Sequence, residues 1–190
     1  PLRMSRLGRE TAFDVLNQAK ALEAQGKHVI HLEIGEPDFD TPAPIVNAGI
    51  EALQKGFTHY SSSQGLLELR EAIASEASAC RGIKVNPSSV VVTPGAKPIM
   101  FYTMLALAEE GDEVIYPDPG FPIYRSMIDF SGATAVPLVL REELDFGIDL
   151  DELRSKITPR TTLLILNHPP HPTGGAVPAE PLANGRAAAG

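Results

Sequence analysis

Short apolar strands alternate with helical patterns between residues 89 and 167, and this alternation constrains the fold more than any other feature. The predicted strands are 90–92, 113–116, 134–140 and 161–166. Such alternation indicates parallel strands joined by right-handed crossovers, which is an α/β fold. Ligands of open α/β sheets bind beyond the carboxyl ends of the strands. The loops at those ends are therefore the first candidates for a functional site.

The loop after 90–92 has the chemistry of an anion site. Thr93-Pro94-Gly95-Ala96-Lys97 breaks a β-branched run, and a helical pattern follows from Pro98. A helix N-terminus presents backbone N–H groups and the positive end of the helix dipole, and glycine permits close approach of the backbone. Lys97 in a first helical turn opposes the dipole, and a bound anion would reverse that penalty. The alternative is a solvated lysine after an ordinary turn.

Two further loops end predicted strands. Phe121 lies between Gly120 and Pro122 after the second strand, and Asn167 and His171 follow the fourth. A phosphate-binding turn, an aromatic face and side-chain hydrogen-bonding groups together suit a flat, aromatic, phosphorylated ligand. The alternatives are a core role for Phe121 and loop capping for Asn167 and His171.

Composition narrows the class of protein. The chain has 190 residues, 43% of them hydrophobic, with a net charge of −8 and one cysteine. The apolar content supports a packed core, and the acidic balance disfavours nucleic acid as a partner. Cys80, on the apolar side of a helical pattern, is predicted to be a buried thiol, which fits a reducing compartment. No apolar run has the length of a membrane span, so we predict a soluble, cytoplasmic protein without a membrane partner.

The first 89 residues are predicted to contain three helices and one strand. The helices cover 11–25, a segment capped by Thr41, and 66–80; the strand is 28–34. Leu66, Leu69 and Ile73 mark the apolar face of the third helix. Glycine at 82 ends that helix, and Asp149 caps a later helix up to residue 157.

Six stretches in this order resemble the N-terminal part of the fold-type I pyridoxal-phosphate (PLP) aminotransferases, in the aspartate-aminotransferase-like class I/II group. They are GEPDFDTP at 35–42, Tyr60 with Gly65 and Leu69-Arg70, TPGAK at 93–97, GDEV at 111–114, PDPGF at 117–121 and NHPPHPTGG at 167–175. The resemblance covers the chain to about residue 178. It implies an incomplete three-layer α/β sandwich with a mainly parallel sheet, the large domain of the PLP-dependent transferases.

The resemblance implies a role for each matching position. The turn of Gly95, Ala96 and Lys97 would hold the cofactor phosphate, and Phe121 would stack on the pyridine ring. Tyr60 would reach the phosphate bound by the neighbouring subunit of a homodimer. The remaining implied roles are substrate-carboxylate contact for Gly35 and a dimer-clasping arm for 1–9.

Two departures from the family pattern affect these expectations. The family reads N-x-P-x-N-P-T-G at the last loop, and His171 stands where the second Asn donates to the cofactor's phenolic oxygen. The family's Schiff-base lysine, its pyridine-pairing aspartate and its carboxylate-binding arginine lie further on than this sequence extends. We therefore expect no catalytic residue in this chain and no transaminase activity from these 190 residues alone.

The predicted function is transfer of an amino group between an amino acid and a 2-oxoacid by a PLP-dependent enzyme of amino-acid metabolism. A PLP-dependent lyase or decarboxylase of the same fold remains an alternative, as does a non-catalytic dimerising remnant. The predicted domains are an arm and helix at 1–30 belonging to a small domain or dimer clasp, the PLP-binding large domain at 31–178, and an atypical tail at 179–190. No metal site is expected.

Overall fold

The computed structural model describes residues 1–8 and 11–175. These fall into two compact units. The first contains the described parts of Pro1–Asn17 and Ile99–Gly190, and the second is Gln18–Pro98. The predicted domain boundaries after residues 30 and 178 stay a prediction, and the tail at 179–190 lies outside the described residues.

Six α-helices are present in the described residues. They are α1 (Ala12–Glu23), α2 (Ala43–Gln54), α3 (Leu67–Arg81), α4 (Ala96–Leu107), α5 (Ile123–Ser131) and α6 (Leu150–Lys156). The same residues contain three short 3-10 helices, at Leu2–Arg6, Pro87–Ser89 and Glu142–Leu144. In the described part of the chain, no helix is both long enough and apolar enough to cross a membrane.

Within its described residues, the first unit is built on a parallel sheet of three strands. They are β1 (Glu113–Asp118), β2 (Thr134–Val139) and β3 (Thr161–Leu164), in the spatial order β2-β1-β3. Glu113 lies opposite Thr134 on one side and Thr161 on the other, and both pairings are parallel. The predicted α/β architecture is confirmed.

Alternate residues of β1 face two different hydrophobic clusters. Val114 packs with Met104 of α4 and Ile128 of α5, whereas Ile115 packs with Leu138 of β2 and Leu153 of α6. Successive side chains of a strand point to opposite faces of the sheet, so helices cover both faces. The sheet is thus the middle of three layers, as predicted.

Two predicted strands of the second unit are wrong. Residues 28–34 and 90–92 are extended or irregular, and the three strands of the described residues all belong to the first unit. Ile30 and Leu32 are 76% and 89% exposed. A strand requires a hydrogen-bonded neighbour as well as a β-prone composition, and the Val92 N–H instead donates to the Gln64 carbonyl at 2.9 Å.

The predicted helix ends are partly right. Gly82 ends α3 in the left-handed conformation, with φ of 63°, and Asp149 caps α6 by accepting from the N–H groups of Asp151 and Glu152. Thr41 is not a cap: Pro42 occupies the N-cap of α2, without a side-chain hydrogen bond.

The apolar face of α3 is not the face buried within the second unit. Arg70 and Ala74 are buried, whereas Leu69 is 44% exposed. The prediction of a buried thiol is wrong because Cys80 is exposed and its Sγ contacts Glu76 Oε1 at 3.0 Å. Periodicity identifies the helix, but within the described residues that apolar face is not covered.

Candidate functional site

Phe121 lies just beyond the carboxyl end of β1, which ends at Asp118. Its half-buried ring packs against the hydrophobic cluster that contains Val114 and Ile128. The ring also meets the Tyr124 ring edge-on, with ring centroids 5.9 Å apart. The His171 ring also meets it edge-on, at 5.3 Å and an interplanar angle of 76°. Phe121 therefore has the core packing that the sequence left as the alternative, and its stacking on a cofactor ring stays a prediction.

The loop after β3 supplies the second half of this contact. Asn167 hydrogen-bonds through its side chain with the hydroxyl group of Tyr124, a buried residue in the first turn of α5. Burial raises the pKa of Tyr124, and the hydrogen bond with Asn167 opposes that rise. The carboxyl ends of the neighbouring strands β1 and β3 thus bring the loops at Phe121 and His171 together.

Tyr124 is a member of this group that the sequence argument missed. It lies three residues after Phe121, in the first turn of the short helix α5. The three-residue spacing from Phe121 is the sequence signal that could have identified Tyr124. Thr173 is also part of the loop after β3, and its Oγ1 is buried without a hydrogen-bond partner in the structure.

In the second unit, the predicted phosphate turn has the expected backbone. Gly95 has φ of +94°, and α4 begins at Ala96, the next residue. The Gly95 N–H donates to the Thr93 carbonyl at 2.8 Å, and Thr93 Oγ1 donates to the Gly95 carbonyl at 2.6 Å. A Cβ added at Gly95 would meet nothing within 4 Å, and Lys97 is exposed. Thr93 closes this turn, a role that the sequence argument did not assign.

Gly35 and Tyr60 also belong to the second unit. Both are exposed, and Tyr60 is as exposed as a side chain of its type can be. Their predicted contacts are with substrate and with a second subunit, respectively. Both roles stay predictions.

The residues present fit PLP in chemical type. A phosphate group binds well at a helix N-terminus with a nearby cation, and the open, exposed turn at Gly95 and Lys97 has both. A pyridine ring requires an aromatic face, and its phenolic oxygen requires a donor; Phe121 and His171 supply these groups in adjoining loops. The first unit is an α/β unit with the loops of Phe121 and His171 at the carboxyl edge of its parallel sheet.

Comparison with known proteins identifies the family. The family model described as "Aminotransferase class I and II" matches residues 27–184. The chain belongs to this family, matching the N-terminal portion of a fold-type I aminotransferase. Members of the family depend on PLP.

Individual relatives agree with the family model. The chain is 39% identical over 180 residues to a probable aspartate/prephenate aminotransferase of Aquifex aeolicus, covering 95% of this chain and 46% of that protein. It is 37% identical to an aspartate aminotransferase of Geobacillus stearothermophilus, covering 95% and 46%. The solved aspartate aminotransferase of Thermus thermophilus with maleate superimposes with a TM-score of 0.94 at 35% identity, over 100% of this chain and 50% of that one. The chain spans about half the length of these relatives.

Proposed function

We propose that this chain is the cofactor-binding part of a PLP-dependent aminotransferase that transfers an amino group between an amino acid and a 2-oxoacid. The observation that carries the proposal is the contact between the Phe121 and His171 rings at the carboxyl edge of the sheet. Names of the relatives support the reaction class, since they include aspartate and prephenate aminotransferases.

Each predicted site residue has a part in the proposal. Gly95 lets the turn approach the phosphate closely, and Ala96 and Lys97 bind it through N–H groups and a positive charge. Phe121 packs against the pyridine ring. His171 donates a hydrogen bond to the phenolic oxygen in place of the family's asparagine. PLP, when bound, supplies an electron sink for the substrate's α-carbon.

The proposal assigns two tasks outside these loops. Gly35 lies beside the substrate carboxylate, and Tyr60 contacts the phosphate bound by the other subunit of a homodimer. We also propose that the lysine attached to PLP is none of the six in this sequence, which are Lys20, Lys27, Lys55, Lys84, Lys97 and Lys156. A cytoplasmic location fits the single cysteine in 190 residues.

The test is performed on the whole natural protein, purified and loaded with PLP. Amino-group transfer from a panel of amino acids to 2-oxoacids is expected, with a matched 2-oxoacid and amino acid as products. Release of carbon dioxide or ammonia without an amino-acid product would instead establish the lyase or decarboxylase alternative. A stable dimer that binds no PLP would establish the non-catalytic alternative.

The second part of the test locates the reactive lysine. Borohydride reduction followed by peptide mapping is expected to place one PLP group on a lysine outside these 190 residues. A stoichiometric adduct on one of the six lysines would overturn that assignment. The 190-residue chain alone is expected to show scattered low-level labelling and no turnover.

A further inference from the structure

Arg70 is a buried cation in α3 whose described hydrogen bonds go to main-chain carbonyls. The residue is 8% exposed. Its Nε donates to the carbonyls of Pro87 and Val90, both at 3.1 Å, and its Nη2 donates to Pro87 at 2.8 Å. One guanidinium group therefore joins the first turn of α3 to Pro87, where the 3-10 turn Pro87–Ser89 begins, and to Val90, its C-cap.

This contact is geometrically specific. A guanidinium group is planar, and its donors form a fork that holds two acceptors in a fixed relation. The Pro87 and Val90 residues are half-buried, and the paired donors of Arg70 favour one arrangement of the chain there. Lysine has neither the plane nor the fork, and does not replace arginine at such a position.

A second attachment holds the same extended segment two residues further on. The Val92 N–H donates to the Gln64 carbonyl at 2.9 Å. Gly65 packs so closely that a Cβ added there would lie 2.8 Å from the Val92 Cβ, and its φ is +99°. Residues 90–92 are thus held by the segment from Gln64 to Arg70 and not by a neighbouring strand.

The attachment continues to the turn that begins α4. Thr93 exchanges hydrogen bonds with Gly95, and the helix starts at Ala96. Hydrogen bonds or close packing therefore hold the chain at several positions between Val90 and Ala96, beginning at the Arg70 contact. We propose that Arg70 is a positioning residue, which holds the turn of Gly95, Ala96 and Lys97 in register to bind the PLP phosphate. This inference rests on the proposed function.

The competing explanation is that Arg70 stabilises the second unit generally. The two explanations differ in which part of the ligand loses binding energy. A displaced phosphate turn weakens binding of PLP but not of pyridoxal, which has the same ring and aldehyde and lacks the phosphate. General destabilisation weakens both ligands together.

The experiment measures equilibrium dissociation constants for PLP and for pyridoxal on the whole protein, in the wild type and in Arg70→Gln and Arg70→Lys. Ser78→Ala is the matched control, because Ser78 joins α3 to the Val85 N–H at 2.9 Å, and its hydrogen bonds in the described residues go to Ala74 and Val85. For Arg70→Gln we expect the PLP dissociation constant to rise on the order of tenfold, with pyridoxal binding little changed. The PLP dissociation constant of Arg70→Lys should lie between those of the wild type and Arg70→Gln. Ser78→Ala should leave the ratio of the PLP and pyridoxal dissociation constants unchanged.

The two dissociation constants are compared within one variant, so partial loss of folded protein does not change their ratio. If Arg70→Gln does not fold, Arg70→Lys provides the test. An unchanged PLP-to-pyridoxal ratio in both Arg70 variants would overturn the positioning role. A wild type that binds PLP no better than pyridoxal would overturn the proposed function itself, and this inference with it. Faster hydrogen exchange at 90–97 in the Arg70 variants, but not in Ser78→Ala, is the expected independent signature.

Discussion

At the scale of single residues, Phe121 has the core role that its sequence position allowed, and its stacking on the cofactor ring stays a prediction. It packs against the core cluster around Tyr116 and Tyr124, and its ring meets His171. Substitution therefore removes core packing as well as any cofactor contact. A useful experiment has to separate the two effects.

We predict that Phe121→Ala weakens PLP retention by about 0.5–1.5 kcal/mol beyond the loss of buried area, because the stacked ring is lost. Equilibrium dialysis of the whole protein measures this. Phe101→Ala is the control: Phe101 is also half-buried and pairs with another aromatic, Phe130, at 5.5 Å. If both variants retain PLP equally well after correction for stability, Phe121 is only a core residue.

Glu113 is a second residue whose burial has a measurable consequence. It begins β1, is 6% exposed, and accepts a hydrogen bond from the Thr158 hydroxyl at 2.6 Å. It also forms an ion pair with Arg160. The Thr158 hydrogen bond, followed by Arg160, holds the pKa of Glu113 below its ordinary value of 4.5.

A depressed carboxylate pKa stabilises the folded state above the unfolded pKa, and that contribution disappears as the pH falls through the folded pKa. We predict that Glu113→Gln lowers the free energy of unfolding at pH 7. The variant should also lose less stability than the wild type as the pH falls below about 5, where such carboxyl groups titrate. Denaturant unfolding at several pH values measures both. Glu143→Gln, at an exposed position, should change stability by less than about 0.5 kcal/mol. Parallel pH profiles for wild type and Glu113→Gln would contradict the assignment.

At the scale of elements, two glycines of the second unit offer opposite predictions. Gly82 has φ of 63° at the end of α3, whereas Gly49 lies inside α2; neither has an atom within 4 Å of an added Cβ. Only the backbone conformation distinguishes them. Gly82→Ala should cost about 1 kcal/mol, and Gly49→Ala should stabilise by about 0.4–1 kcal/mol.

Thermal or denaturant unfolding of the two variants beside the wild type measures this difference. Because both substitutions add the same methyl group in open space, the sign of each change reports the helix boundary. Destabilisation by Gly49→Ala would contradict a helical conformation at Gly49, and stabilisation by Gly82→Ala would contradict a left-handed conformation at Gly82.

At the scale of the whole molecule, the proposed dimer places Tyr60 in the neighbour's site. Its complete exposure within this chain agrees with a contact that lies elsewhere. We predict that the whole protein sediments as a dimer and that Tyr60→Phe weakens PLP binding while the dimer remains intact. A fully active monomer would contradict both statements.

Mixed dimers test the direction of the contact. One subunit carries Tyr60→Phe, and its differently tagged partner carries Lys97→Met. If Tyr60 acts across the interface, one site contains both changes and the other contains neither, so half of the sites bind PLP as the wild type does. If Tyr60 acts within its own subunit, each site contains one change, and no site has wild-type affinity.

Local patterns in the sequence predicted the three parallel strands, most helix boundaries within two residues, and the loops that contain Phe121 and His171. These features depend on short-range rules: strand composition, glycine and proline turns, and the common edge to which parallel strands bring their carboxyl ends. The contact between Phe121 and His171 follows from that edge, as the pairing of β1 with β3 shows.

Only the tertiary structure decided which extended segments pair and which helix faces are covered. Residues 90–92 have a strand composition, but in the described structure their hydrogen bonds join them to Gln64, Arg70 and Pro87 instead of a neighbouring strand. Arg70 is buried on α3 although the apolar pattern predicted the face of Leu69. A β-prone segment or an apolar stripe indicates that a segment can be paired or buried. The residues that pair with it or cover it are distant in the sequence, so local patterns do not identify them.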